Sequence, residues 1–128
     1  MSEENYLYEY AVVRYVPAVE RSEFINVGLI MMCKKLRWLR LRIYISDAKV
    51  ACFKSEVTPE CLRSQLNSFK MIADGEKLSG PIASYPVEER FRWLTAVKSA
   101  CIQTSRPHPG LTKDLETEFE KLFEEQVL

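Results

Sequence analysis

The chain has 128 residues, with 18 basic and 18 acidic side chains and a formal net charge of zero. This length suits one domain with a real core, and a hydrophobic fraction of 47% with a charged fraction of 28% excludes a disordered chain. The balanced charge gives no overall attraction to a polyanion such as nucleic acid.

The first part of the chain predicts two strands and no secretion signal. Residues 1–5 are polar and acidic and lack the basic and apolar regions of a signal peptide, so we expect a cytoplasmic protein. Tyr8 to Val16 is aromatic and β-branched, which predicts a first strand that stops at Pro17. Phe24 to Cys33 carries no charge but is too short to span a membrane, which needs about 20 apolar residues. Because both alternating faces are apolar, Ile25 to Cys33 predicts a central strand covered on both sides.

A third strand is predicted from Trp38 to Ser46, joined to the second by a short antiparallel turn at Lys34 to Arg37. Its apolar positions alternate with an aromatic and basic stripe of Trp38, Arg40, Arg42 and Tyr44. The stripe suits two roles. It is either a surface that stacks bases and neutralises phosphates, or a solvated outer face whose arginines pair with cross-strand carboxylates such as Glu9.

The second half of the chain predicts about three helices. Val50 to Phe53 first predicts a short fourth strand. Thr58-Pro59 then starts a helix that Asp74-Gly75 ends, and Pro86 opens a second, shorter helix. Residues 98–110 predict an irregular or extended segment. Thr112 is predicted to cap a last helix, whose apolar stripe is Leu115, Phe119, Leu122 and Phe123.

The charges are unevenly distributed along the chain. Lys34 to Arg42 holds five basic residues and no acid, whereas Asp114 to Glu125 holds six acidic residues against Lys121 alone. Either these two segments partly neutralise each other or face water, or they form two separate docking surfaces.

Asn26 and Gly28 are the residues that a plain core strand does not need. A regular strand places them on one face, where Gly admits a close approach and Asn offers two donors and an acceptor. The alternative is structural, with a β-bulge or tight helix packing at Gly28 and Asn26 bonded to a neighbouring loop.

Residues 98–111 are dense in polar groups and poor in helix formers, as functional loops often are. A Cys101–His108 nucleophile pair is conceivable, but Cys101 is flanked by apolar residues and His108 by prolines. Neither Ser99 nor Ser105 lies in a Gly-x-Ser-x-Gly elbow.

The four cysteines predict reduced thiols. Cys33, Cys52, Cys61 and Cys101 include no C-x-x-C pair, and one His is too few for a Cys/His zinc site. The sequence has no Gly-rich phosphate loop and no carboxylate cluster with metal spacing. We therefore expect no metal and no cofactor.

Two ordered blocks of sequence resemble a bacterial family of unknown function, DUF3037, over nearly the whole chain. The first block runs from Tyr10-Ala11-Val12-Val13-Arg14 to Asn26-Val27-Gly28. The second comprises Glu89 to Leu94, followed by Ser99, Ile102-Gln103, Ser105, His108 and Gly110-Leu111. The family usually has Arg where this chain has Lys98, and a Lys lacks the bidentate fork with which Arg grips phosphate or carboxylate. It often reads Ser-Pro-Val-His where this chain has Ser105 to His108. The resemblance also implies an association with a HipA-like kinase-fold protein.

The predicted fold is one α+β domain over residues 1–128, with an antiparallel sheet of three to four strands and about three helices packed mainly on one face. Two functions remain open. The first is a non-enzymatic protein-interaction or accessory module, with a HipA-like kinase-fold protein or a second copy as partner. The second is a nucleic-acid-binding or hydrolytic protein whose candidate site comprises Arg14, Asn26, Gly28, Lys98, Ser99, Gln103, Ser105 and His108. Weak nucleic-acid binding is compatible with either function, and we expect no membrane association.

Overall fold

The computed structural model describes residues 4–18, 23–46, 48–49, 59–76, 80–96 and 102–128. The strands are β1 (Tyr6–Ala18), β2 (Glu23–Cys33), β3 (Trp38–Ile43), β4 (Ile102–Thr104) and β5 (His108–Thr112). The helices in these ranges are α1 (Pro59–Ala73), α2 (Val87–Ala96) and α3 (Leu115–Gln126), with a 3-10 helix at Pro81–Ser84. The α+β class is confirmed. The predicted strand at Val50 to Phe53 lies outside the described residues.

The described strands form one antiparallel sheet in the order β3-β2-β1-β4, and β5 also pairs with β1. β2 lies between β1 and β3, as predicted, and Val27, Leu29 and Met31 are fully buried. This burial requires cover on both faces of the sheet, because Leu29 and Met31 belong to one apolar cluster and Val27 to another.

Among the described residues the sheet has five strands, one more than the upper predicted number, because part of the segment predicted to be irregular or extended forms the edge beside β1. β4 pairs with Val13 to Tyr15, and β5 pairs with Tyr6 to Tyr10. Residues 105–107 interrupt this edge and shift its register by one residue, as in a β-bulge. β4 has three residues and β5 five with one proline, so neither gives a clear sequence pattern, and the sequence predicted an extended segment as one alternative without identifying the two strands.

Two helices cover one face of the sheet. Leu62 and Leu66 of α1 and Phe91 and Leu94 of α2 pack into the cluster that contains Val13. Their i, i+3 and i+4 spacings give each helix the apolar stripe that the sequence predicted. Gly75, in a left-handed conformation with φ of 76°, follows the end of α1. We call this side of the sheet the α1/α2 face.

α3 covers the opposite face, which we call the α3 face. Its apolar stripe, with Phe119 fully buried, packs on the cluster that contains Leu29 and Met31. The predicted cap was wrong: Asp114 is the N-cap and accepts a hydrogen bond from the Thr117 amide, whereas the Thr112 hydroxyl contacts Asp114. Hydrogen bonds from Thr117 lower the pKa of Asp114.

The aromatic and basic stripe on β3 faces α3. Arg42 makes two hydrogen bonds to the Glu120 carboxylate, at 2.6 and 2.8 Å, and Arg40 pairs with Glu116. Trp38 donates from Nε1 to Glu116 and packs edge-on against Phe119. The basic and acidic segments therefore neutralise each other in part, which was one of the two alternatives left open. The arginines' partners lie on α3 and not on a neighbouring strand.

Of the helices in the described ranges, none is both long and apolar enough to cross a membrane.

The Arg42–Glu120 pair predicts an acid-sensitive attachment of α3. The hydrogen bond from Arg42 lowers the pKa of Glu120 below its ordinary value of 4.5. A pKa lowered by folding stabilises the fold above the unfolded pKa, and this stabilisation is lost as the pH falls through the folded pKa. We expect Glu120→Gln to lower the thermal midpoint at pH 7 and to match the wild type near pH 3, measured by circular dichroism.

Glu124→Gln is the matched control, because Glu124 is an exposed α3 carboxylate without an ion pair among the described residues. Both substitutions remove one negative charge, so equal pH profiles for the two variants would contradict the role given to Glu120.

Candidate functional site

Three of the predicted site residues form a row across three strands. Arg14 on β1 pairs with Asn26 on β2 and with Gln103 on β4. Directly opposed residues of an antiparallel sheet project to the same side, so the three side chains share the α3 face. Each is half-buried. Pairing of distant segments thus brings together residues of both sequence blocks.

Gly28 is not part of this row, and the prediction that it shares a face with Asn26 was wrong. The β1–β2 register shifts between Val13, which pairs with Gly28, and Arg14, which pairs with Asn26, so Val27 is left over as a bulge. The bulge places Gly28 on the α1/α2 face. A Cβ at Gly28 would lie 2.9 Å from the Arg42 carbonyl oxygen, so glycine permits a close approach of β3, and the bulge itself was one of the structural alternatives considered.

Asn26 attaches the end of α3 to the sheet. Its Nδ2 donates a hydrogen bond of 2.7 Å to the Gln126 carbonyl oxygen in the last turn. Helix ends leave carbonyl groups without intrahelical partners, so this contact satisfies one of them. Asn26 Oδ1 is buried and has no hydrogen-bond partner among the described residues, and the same holds for Nε of the neighbouring Arg14.

Phe24 and the last residues of α3 form a hollow beside Asn26. The Arg14 guanidinium lies 4.2 Å from the centroid of the Phe24 ring, a cation–π contact. The hollow has a volume of about 440 Å³ and is lined by Phe24, Ile25, Asn26, Lys49, Gln126, Val127 and Leu128. Sequence analysis missed Phe24 and Gln126 as site residues, because their positions beside Arg14 and Asn26 depend on strand pairing and on the packing of α3, which sequence spacing does not contain.

Ser105 has a structural role in the edge of the sheet. Its amide donates to the Val12 carbonyl at 2.8 Å, and its hydroxyl accepts from the Val12 amide at 2.8 Å. The side chain therefore replaces a backbone carbonyl where the edge strand is interrupted. The hydroxyl also donates to the Arg106 carbonyl oxygen, at 3.2 Å. Ser105 is a buried polar residue whose hydroxyl is already engaged, which does not suit a nucleophile.

His108 lies farther along the same edge, opposite Tyr10, and is exposed. Its ring centroid is 5.3 Å from that of Tyr10. Lys98, Ser99 and Cys101 lie outside the described residues. The position of Lys98, where the family usually has Arg, and the Cys101–His108 pair therefore stay predictions.

The described residues contain no group of three or more His, Cys, Asp or Glu side chains that could hold a metal ion. Cys33 is a buried free thiol, and Cys61 is exposed and accepts a hydrogen bond from the Gln65 side chain; Cys52 and Cys101 lie outside the described residues. The row of Arg14, Asn26 and Gln103 contains one buried donor, Arg14 Nε, and one buried acceptor, Asn26 Oδ1, that have no hydrogen-bond partner in the described ranges. Such groups suit binding better than proton transfer.

The fold and these contacts define a small α+β protein with an antiparallel five-stranded sheet between helices. The chain belongs to the family described as Protein of unknown function (DUF3037), whose model matches residues 10–127. Neither a search of the curated proteins nor a search of the solved structures found a match.

The structural role of Ser105 can be tested by Ser105→Ala. This change leaves the buried Val12 amide without its acceptor, so we expect a loss of about 1–3 kcal/mol in the free energy of unfolding, measured by urea denaturation. The matched control is Ser68→Ala, because Ser68 is exposed on α1 and its hydroxyl donates to the Ser64 carbonyl oxygen within the same helix. A change of less than about 0.5 kcal/mol in both variants would refute the role.

Proposed function

We propose that this protein is a non-catalytic interaction module that binds protein through an apolar corner of the α1/α2 face. One observation carries the proposal. Leu7 on β1 and Leu111 on β5 are cross-strand partners, and they are 62% and 63% exposed. Single exposed leucines are ordinary, but an adjacent pair on a sheet face gives a partner a continuous apolar contact.

The surroundings of this pair suit a protein contact. Leu7 borders a small cavity of about 130 Å³ whose other lining residues are Tyr8, Glu9, Met32, Lys34, Glu88 and Arg92. Two acidic and two basic side chains thus lie beside the apolar pair. An apolar centre with a charged rim is the usual arrangement of protein interfaces.

The nucleic-acid alternative loses its main surface. The predicted base-stacking stripe depended on Arg40 and Arg42, and both are paired with α3 carboxylates. Phosphate contacts supply most of the affinity for nucleic acid, and they require cations that are not already neutralised. The hydrolytic alternative is weakened by the structural use of Ser105.

A second copy of the chain is the partner that the corner fits best. Its rim carries both signs of charge, with Glu9 and Glu88 beside Lys34 and Arg92, so two corners related by a two-fold axis can pair opposite charges. A net charge of zero adds no repulsion between copies. The HipA-like kinase-fold protein suggested by the family resemblance is the other partner to test.

The test is sedimentation velocity of the purified chain, alone and mixed with such a kinase-fold protein. We expect association that Leu7→Ser/Leu111→Ser weakens at least about tenfold, because each buried leucine contributes roughly 1.5–3 kcal/mol and 1.4 kcal/mol is tenfold in affinity. Leu128→Ser is the matched control, since Leu128 is 60% exposed but lies by the hollow at Asn26. A wild-type chain that associates with neither partner, or an effect of Leu128→Ser equal to that of the double variant, would refute the proposal.

A further inference from the structure

We propose that a second cavity, between the β2–β3 turn and the start of α2, binds a phosphate group, either free or as the ester of a small molecule. The cavity has a volume of about 660 Å³, within the range of small-molecule sites. Its lining residues are Lys34, Arg37, Ser84, Tyr85, Pro86, Val87, Glu88 and Arg90. None of the cations among them belongs to the row of Arg14, and this inference does not depend on the proposed protein contact.

The charge of the lining favours an anion. Lys34, Arg37 and Arg90 bring three positive charges against the single carboxylate of Glu88. Within the described ranges, none of these three cations forms an ion pair, whereas the neighbouring Lys35 is paired with Glu4. Like charges held around one concavity repel each other, and a bound anion removes that repulsion. Phosphate, with several acceptor oxygens, can bond to more than one of these donors at once.

Arg90 is held in place before any ligand binds. Its Nη1 donates to the Ala83 carbonyl oxygen at 3.3 Å, and the same atom packs against Gly75, where a Cβ would lie 2.5 Å away. Its Nε is buried and has no acceptor in the described part of the chain. A fixed guanidinium with unused donor capacity is the kind of group that recognises phosphate, because little side-chain entropy is lost on binding.

The turn between β2 and β3 supplies the other two cations, Lys34 and Arg37, to the lining of the cavity. The Arg37 amide donates to the Lys34 carbonyl oxygen at 3.1 Å, and Arg37 has a left-handed φ of 51°. This tight turn keeps the two residues adjacent. The exposed ring of Tyr85 lines the same cavity and offers a face for an aromatic group attached to the phosphate.

Isothermal titration with inorganic phosphate and with adenosine monophosphate tests the site, with sodium acetate as a carboxylate comparison. We expect millimolar or tighter binding of phosphate, and tighter binding of the nucleotide if Tyr85 receives its base. Lys34→Ala/Arg37→Ala should weaken binding of both at least tenfold. These residues are exposed, so the variant should fold, and Arg90→Gln then tests the fixed guanidinium.

Lys35→Ala is the matched control, because it removes the same charge one residue from Lys34 but from a side chain already paired with Glu4. It should bind phosphate as the wild type does, and so should Leu7→Ser/Leu111→Ser. Absence of phosphate binding, equal loss in Lys35→Ala, or acetate binding as tight as phosphate binding would overturn the proposal. Failure of the protein contact leaves these titrations unchanged, so the two proposals fail separately.

Discussion

A strand with two apolar faces needs cover on both sides, and β2 imposes this requirement on the rest of the molecule. α1 and α2 bury the face that contains Val27, and α3 buries the face that contains Leu29 and Met31. The hydrophobic effect requires that α3 cover this face. It does not determine the angle or the position of α3, since apolar contact is not directional. The orientation of α3 on the sheet is set by polar contacts along its length, in its first half and at its last turn. Glu116 and Glu120 meet the β3 arginines, and Asn26 bonds to the carbonyl of Gln126.

β1 is the second constraint, because it is paired along both of its edges. β2 follows one edge, while β4 and β5 share the other. The ladders on both edges of β1 contain register shifts, at which the strands bend and their right-handed twist increases. One bulge lies at Val27, a second shift of the β1–β2 register lies between Tyr15 and Ala18, and a third irregularity lies beside Ser105, whose hydroxyl replaces a missing backbone acceptor. The polar residues of both sequence blocks therefore gather where the ladder is irregular.

The sequence predicted those parts of the fold that depend on periodicity. The apolar run of β2 and the stripe of α3 each repeat over enough residues to identify the element and its buried side. A bulge escapes such reasoning, because one extra residue reverses the alternation without changing composition, and the faces of Asn26 and Gly28 could not be assigned. β4 spans only Ile102–Thr104, too few residues for a pattern. The row of Arg14, Asn26 and Gln103 depends on strand order, which sequence spacing does not contain. The family motifs nevertheless pointed to its members.

Exposure of an apolar side chain is also a property of the assembled sheet. Leu7 continues the alternation of β1, and the pattern alone assigns it to the same buried face as Val13. It is nevertheless 62% exposed, although Glu88 and Arg92 of α2 line the small cavity beside it. The start of the same helix borders the cationic cavity, and Lys34 and Glu88 line both places. The start of α2 thus contributes to two surfaces of different chemistry, the apolar corner and a cavity lined by three cations against one carboxylate.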